Sequence, residues 1–439
     1  MDLNRIAAAF RSGEQTPVDH VTDVLQRLAA DPYNVVVTLD ADRALATARA
    51  LTDELAAGHD RGPLHGIALG VKDLIDVAGL PTRCGSNVFA DAAPAERDAP
   101  IVAQLRAAGA VVVAKLHTQE FAHGATGDVS ASGPALNPHD PTRITGGSSS
   151  GSAGSLAAGH LPLALGTDTG CSVRGPAALC GVVGLKPRYG RLPSERIFPL
   201  SESLDHPGLL STDVAATATA WRVLSGDPGR PTPDIAGLRV GVLTDDYWRP
   251  ADPSIAPWPT AAVEILRAAG AQVSEVRTPF IDEFAAAYRP IVSNEAYATH
   301  ARWLADRPEA YQPLTRERLS SFADRPARDY IEAQRTRRRL SAEFTAAAAD
   351  VDVLVLATTR LRATPIGVAE VVPEGGDGVP VEVRPALLAL NSPFNLTGWP
   401  AVGIPAPVQG LPIGVQIVGV RCDETAVLDV AAAVEAGWR

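Results

Sequence analysis

Two glycine-rich segments hold most of the side chains that could do chemistry: Gly146-Gly-Ser-Ser-Ser-Gly-Ser152 and Gly166-Thr-Asp-Thr-Gly-Cys-Ser-Val-Arg-Gly-Pro-Ala177. A serine hydroxyl is a poor nucleophile near neutral pH and needs a positioned base. Lysine usage points to where one could come from. The chain holds 39 Lys and Arg residues, of which only Lys72, Lys115 and Lys186 are lysine. A guanidinium keeps its proton near neutrality, whereas a desolvated ammonium can lose it, so positions that must be lysine include those needing a titratable amine. The same three residues could equally serve as hydrogen-bonding struts.

Neither segment is a phosphate loop. A Walker A loop needs Lys-Ser/Thr directly after its last glycine, and no such lysine is present. The dinucleotide fingerprint G-x-G-x-x-G is absent from the first strand-turn-helix unit. The elbow pattern G-x-S-x-G is matched formally at Gly147-Ser-Ser-Ser-Gly151, but an elbow follows a strand directly, and Asn137-Pro-His-Asp-Pro-Thr-Arg143 reads as loop.

Gly70-Val-Lys-Asp73 and the two glycine-rich segments together resemble the amidase signature family. Ser148 and Ser172 are 24 residues apart and Lys72 precedes Ser148 by 76, the spacing associated with that family. The resemblance extends to Leu64-His-Gly-Ile67, Gly181-Val-Val-Gly-Leu-Lys-Pro187, Ser203-Leu-Asp205, Phe394-Asn-Leu-Thr-Gly-Trp-Pro400 and Gly410-Leu-Pro-Ile-Gly-Val-Gln416, so it covers nearly the whole chain. It implies an α/β fold, a single-domain α/β/α sandwich with a large mixed central sheet. It also implies a Ser-cisSer-Lys triad: Ser172 as nucleophile, Ser148 as proton relay after a cis Gly147-Ser148 bond, and Lys72 as base. Ser-Lys arrangements are convergent variants of the serine triad, so no histidine is required. Burial of Lys72 among groups such as Val71 and Leu74 would lower its pKa and leave a fraction neutral. The expected reaction is hydrolysis of a small linear carboxamide through an acyl-Ser172 intermediate. Two other readings use the same triad, a glutaminase-type subunit of an amidotransferase complex and an esterase or acyltransferase. No metal or organic cofactor is implied.

The turn Thr169-Gly170-Cys171-Ser172 can aim successive backbone N–H groups at one point, which makes it the expected oxyanion hole. The common family pattern has a second glycine where Cys171 stands. A side chain is therefore expected to enter the site wall and narrow the pocket, and Cys171 is a rival nucleophile one residue out of register. Asp168 and Arg174 are expected to pair or to cap nearby backbone, with Ser149 satisfying local hydrogen bonds. The acyl pocket is expected along Phe121 to Asp128, lined by His123, Gly124, Ala125 and Thr126, with Tyr288, Trp303, Tyr311 and Tyr330 available as an aromatic wall. Lys115 and Lys186 read as struts. His117, His123, His139 and His206 fit no metal-ligand spacing and read as structural polar groups.

These segments need a frame to hold them. Residues 1–60 carry helical periodicity over Leu3 to Phe10, Pro17 to Leu28 and Asp40 to Ala57. From Gly62 to Gly190, glycine-rich turns separate short apolar runs such as Gly66 to Val71 and Ala110 to Ala114, the latter after a helix over Ala99 to Ala108. This alternation predicts an α/β sheet buried on both faces. Leu238 to Leu243, Pro259 to Ala269 and Gln272 to Val276 repeat the strand-helix-strand pattern, and Asp282 to Ala348 reads as mostly helical. Strands return at Val351 to Ala357, Ala401 to Ile404 and Ile413 to Val418, before a helix over Glu424 to Ala436. The expected organisation is one domain over 1–439, with a helical lead-in to about 60 and a catalytic core over 62–205. A variable helical substrate region over 245–350 and C-terminal strands and helix over 351–439 complete it. Val372 to Gly378, the only linker-like stretch, reads as a surface loop.

A formal net charge of -11 would repel a phosphate backbone, and the basic run Arg335 to Arg339 reads as one exposed helical face, so nucleic acid is not an expected partner. No apolar stretch approaches the roughly 18 to 20 residues of a membrane span. Met1 to Arg11 lacks a secretory-signal pattern, and a cytoplasmic location is expected. Cys84, Cys171, Cys180 and Cys422 lack C-x-x-C spacing and read as reduced thiols. The expected partner is a small-molecule amide, and a homodimer is compatible with this reading.

Overall fold

The computed structural model describes residues 1–226 and 235–438. Eleven strands form one mixed sheet in the order β1 (Val36–Leu39), β3 (Val111–Leu116), β2 (Ala68–Lys72), β6 (Leu163–Asp168), β8 (His206–Ser211), β7 (Val183–Lys186), β14 (Ala401–Pro405), β15 (Gly414–Gly419), β11 (Val353–Ala357), β9 (Arg239–Leu243) and β10 (Gln272–Val276). Two small antiparallel pairs stand apart from it, β4 (Leu136–Asn137) with β5 (Asp140–Ile144), and β12 (Glu370–Val371) with β13 (Val381–Glu382). Strands β3, β2 and β6 run parallel, as do β11, β9 and β10. Antiparallel pairs join these two groups through the middle of the sheet.

Successive strand residues point to opposite faces, and here both faces are apolar. On β6, Leu163 and Leu165 join a core shared with Leu69, Val71 and the helices Pro100–Ala107, Val214–Ser225 and Glu424–Gly437. Ala164 between them faces a second core with Ala68 and the helices Pro17–Ala29 and Ala41–Ala56. The helices between 281 and 347 cover the same sheet further along, against Leu354, Leu356 and Val418. The result is the expected α/β/α sandwich. Among the described residues, no helix is long and apolar enough to cross a membrane.

Three details differ from the sequence reading. Val36–Leu39, between two helices, is an edge strand pairing antiparallel with β3. Asn137 to Arg143, read as loop, falls in the β4–β5 pair, so a strand does precede Ser148. That strand lies outside the central sheet, and the elbow pattern at Gly147–Gly151 therefore still lacks the sheet strand that an elbow tops. The Arg335 to Arg339 face is not wholly exposed: Arg337 turns inward, and its Nε donates to the Leu396 carbonyl at 2.8 Å. Val372 to Gly378 is a largely exposed loop between β12 and β13, as expected.

Candidate active site

Strand β2 ends on Lys72 and its parallel neighbour β6 ends on Thr167 and Asp168, so the sheet delivers these groups side by side. The Lys72 side chain is fully buried. Its Nζ donates to Ser148 Oγ at 2.7 Å and to Thr167 Oγ1 at 2.8 Å. Burial lowers its pKa from the ordinary lysine value to about 7, outweighing the opposing pull of Asp168 and Asp205. The other two lysines are buried as well but differently held. Lys115 pairs with Asp73 at 2.9 Å, and Lys186 donates to the carbonyls of Pro187 and Trp399.

Ser148 follows a cis peptide bond from Gly147 and lies two residues before the start of the helix Ser150–Ala157. The small residues of that helix are dictated by its neighbours. A Cβ on Gly151 would stand 2.4 Å from the His117 amide nitrogen and 2.5 Å from the Val35 carbonyl oxygen. Ser149 N–H donates to the Ser172 carbonyl at 3.2 Å, and Ser149 Oγ to the Thr167 carbonyl at 3.2 Å, so the two glycine-rich segments are stitched together at the serines.

Ser172 sits between β6 and the helix Arg174–Cys180, on a turn held from below by a buried ion pair. Arg174 contacts Asp168 at 2.9 Å and also donates to Asn395 Oδ1, Gln416 Oε1 and the Asn391 carbonyl. Asp168 accepts in addition from the N–H groups of Val173 and Arg174 and from Asn395 Nδ2. Burial alone would raise the Asp168 pKa, but the Arg174 charge and its hydrogen bonds hold it well below the carboxylate range. Above this base, the N–H groups of Thr169, Gly170, Cys171 and Ser172 donate to no backbone carbonyl among the described residues. Their free donors suit a developing oxyanion.

The Cys171 thiol is buried: it is 0% exposed, approaches the Gly147 carbonyl at 3.7 Å and shares an apolar cluster with Ala125, Leu179 and Leu387. Burial and the Asp168 charge push it up to about 12, which removes the thiolate a nucleophile would need.

The segment 121–128 lies against the cis peptide. Gly147 N–H donates to the Ala125 carbonyl, and Gln119 N–H to the Ser148 carbonyl. Gln119 Oε1 gathers the N–H groups of Thr126 and Gly127, and a Cβ on Gly124 would strike the Gln119 amide. His123 and Ala125 are buried, whereas Gly124 and Thr126 are partly exposed. The four aromatics expected as a wall do not act together. Trp303 and Tyr311 pack into a cluster with Phe121 and His300, and Tyr330 donates to Glu295. Only Tyr288 reaches the turn, where its Oη would lie 2.2 Å from a Cβ on Gly170.

Three participants escape the sequence reading: Thr167, Asp205 and Gln119. Asp205 accepts from Thr169 Oγ1 at 2.5 Å, and burial raises its pKa to about 6 against the hydrogen bonds of Thr169, Ser201 and Leu200. An open cavity of about 390 Å³ reaches Thr167, Thr169 and Asp205, while neither Ser148 nor Ser172 lines it. His117, His139 and His206 hold hydrogen bonds to Ser150, the Cys180 carbonyl and the Leu204 carbonyl. Among the described residues, no three His, Cys, Asp or Glu side chains converge as a metal ion would require.

A family model described as Amidase matches residues 19–428. AtzE, a 1-carboxybiuret hydrolase subunit of Pseudomonas sp. (strain ADP), is 35% identical, over 97% of this chain and 96% of that protein. A glutamyl-tRNA(Gln) amidotransferase subunit of Synechococcus sp. (strain RCC307) is 33% identical, over 98% of this chain and 96% of that one. A solved structure described as an amidase superposes with a TM-score of 0.92 at 37% identity, over 100% of both chains.

Proposed function

The chain belongs to the amidase family, and from that premise we propose that it cleaves a small linear carboxamide through an acyl-Ser172 intermediate, with Lys72 as base and Ser148 as relay. The observation that carries this reading is the 2.7 Å contact between a fully buried Lys72 Nζ and Ser148 Oγ. Neutral Lys72 accepts the Ser148 proton while Ser148 accepts that of Ser172, whose Oγ bonds to the amide carbon. The carbonyl oxygen gains the negative charge and faces the N–H groups of Gly170, Cys171 and Ser172. Run backwards, the relay protonates the leaving nitrogen as the C–N bond breaks. Water then attacks the acyl ester through the same relay, releasing a carboxylic acid and restoring Ser172.

Intact-protein mass spectrometry after treatment with an alkyl fluorophosphonate tests it. One adduct that vanishes in Ser172→Ala and forms far more slowly in Lys72→Met supports the triad; an adduct untouched by Ser172→Ala moves the nucleophile elsewhere.

A second reading has its own support, since both similar proteins named above are described as subunits. In an amidotransferase complex, the chain would pass its released ammonia to a partner. Purification from its native host distinguishes the two readings: stoichiometric partner chains favour the complex, and activity of the chain alone favours the hydrolase.

A further inference from the structure

The helix Val383–Ala389 packs over the oxyanion turn. Its Val383, Ala386 and Leu387 share an apolar cluster with Cys171 and Ala125, and Leu388 Cδ2 would lie 2.9 Å from a Cβ on Gly170. Arg384 is four residues before Leu388 and so lies on the same helix face, toward the turn. Its guanidinium is close enough to Tyr288 and Cys171 to interact electrostatically with both.

Yet Arg384 has no anionic partner. Among the described residues its side chain makes no hydrogen bond or ion pair, and its Nε is buried without an acceptor. The charged groups nearest to it add to the imbalance, because Arg289 and Arg318 are both within electrostatic range. Asp128 and Glu317 offset Arg318 in part, and the Asp128 carboxylate also accepts the Gly367 N–H at 3.0 Å. Close by, both ring nitrogens of His123 and the Nε2 of Gln119 are buried without partners. A chain with a net charge of -11 thus keeps uncompensated cationic and polar groups beside its reactive turn. Arg384 is half-buried with its Nε fully enclosed, and a ligand anion would supply the acceptor that this side chain lacks.

We propose that Arg384 binds a carboxylate on the substrate, so that the amide cleaved here is one that also bears a carboxylate a few bonds from the scissile carbonyl. The inference rests on the amidohydrolase reading and narrows it to a substrate class. Tyr288, with its hydroxyl over Gly170 and within electrostatic range of Arg384, is placed to donate to the same ligand. An uncharged amide would leave the guanidinium unpaired, which is where discrimination arises.

The test measures binding rather than turnover. Ser172→Ala protein is titrated calorimetrically with malonamate, succinamate and glutaramate, and with the uncharged methyl ester of each. The acid of at least one pair is expected to bind about ten-fold tighter or more, the size of one charge-assisted hydrogen bond. The preference is expected to vanish in Ser172→Ala/Arg384→Met and to persist in part in Ser172→Ala/Arg384→Lys. Equal affinity within every pair overturns the inference, and that comparison needs no arginine variant to fold. A preference left intact by Arg384→Met overturns it as well. Fluorophosphonate labelling of the protein with Ser172 present reports on the triad separately. Labelling without a carboxylate preference sinks this inference alone; a preference without labelling sinks the triad and supports the subsite.

Discussion

Lys72 Nζ reaches Ser148 Oγ at 2.7 Å and Thr167 Oγ1 at 2.8 Å, so among the described residues the amine is held by two neutral hydroxyls and by no carboxylate. One strand away, Lys115 is just as buried and is held by Asp73. The contrast matters chemically. A carboxylate in contact would stabilise the protonated amine, whereas hydroxyls leave burial as the dominant influence.

A pH profile follows from this. The neutral amine is the base, so the rate of Ser172 labelling, and of hydrolysis once a substrate is found, should rise with pH and level off with one inflection near 7. Stopped-time mass spectrometry from pH 5 to 9 reads it directly. A flat profile would remove Lys72 from the role of base.

Lys72→Met should slow labelling by about 10²- to 10⁴-fold, the usual worth of a positioned base, without loss of fold. Through this amine, wild-type stability should rise with pH, in the same sense as for a carboxylate whose folded pKa is lowered. The folded pKa of Lys72 lies below the unfolded value, so the unfolded chain binds the extra proton from about pH 7 up to the unfolded lysine range. Wild-type stability gains from this group as pH rises through that window. Denaturant titrations of the two proteins at pH 7 and pH 9 should show the gain only in the wild type.

Thr167→Val removes a hydrogen-bond acceptor that favours the charged amine. The labelling inflection should therefore move to lower pH while the plateau rate falls, because the amine loses one of its two positional restraints. An inflection that moved upward would contradict this account.

Breaking the pair beneath the turn should be costly. Asp168→Asn or Arg174→Met leaves a buried charge without its counterpart, and about 3 to 5 kcal/mol of stability is expected to be lost in chemical denaturation. The Asp168 carboxyl is held below its unfolded value, so its contribution is present above the unfolded carboxylate pKa and disappears as pH falls below it. The stability of Asp168→Asn should accordingly vary less with pH across the acid range than that of the wild type.

Gly170→Ala adds a methyl group where Tyr288 Oη would stand 2.2 Å away. Displacement of the turn by even 1 Å should cost about 10²-fold in labelling rate. Adding Tyr288→Ala should restore part of it, which a general loss of folding would not allow.

How far the chain can be read in advance depends on the range of the interactions involved. Runs such as Val111 to Ala114 announce a buried strand because the β-branched residues themselves carry the signal. Val36–Leu39 does not, being four half-buried residues on a sheet edge between two amphipathic helices. Gly151 and Ser149 are visible as motif residues, though the reason for the glycine, the backbone of His117 and Val35, comes from elsewhere in the chain. Thr167 stands inside a recognisable motif, yet nothing local marks it as the second acceptor of Lys72. Asn395 and Gln416, both within motifs near the end of the chain, emerge as the groups that complete Arg174. Residue type alone suggests Tyr311 and Trp303 for a pocket wall, but Tyr311 packs on Phe121 and Trp303 on His300.

The three lysines are all 0% exposed, and every other cationic side chain on this protein is arginine or histidine. The folded surface therefore presents no lysine amine to an acylating or aldehyde reagent. Apart from the N-terminal α-amine, cross-linkers, biotin esters and resins built for amines would find only buried targets, and modification of Lys72 would report entry into the reactive centre. Amine chemistry, ordinarily an indiscriminate label, becomes on this chain a probe of opening.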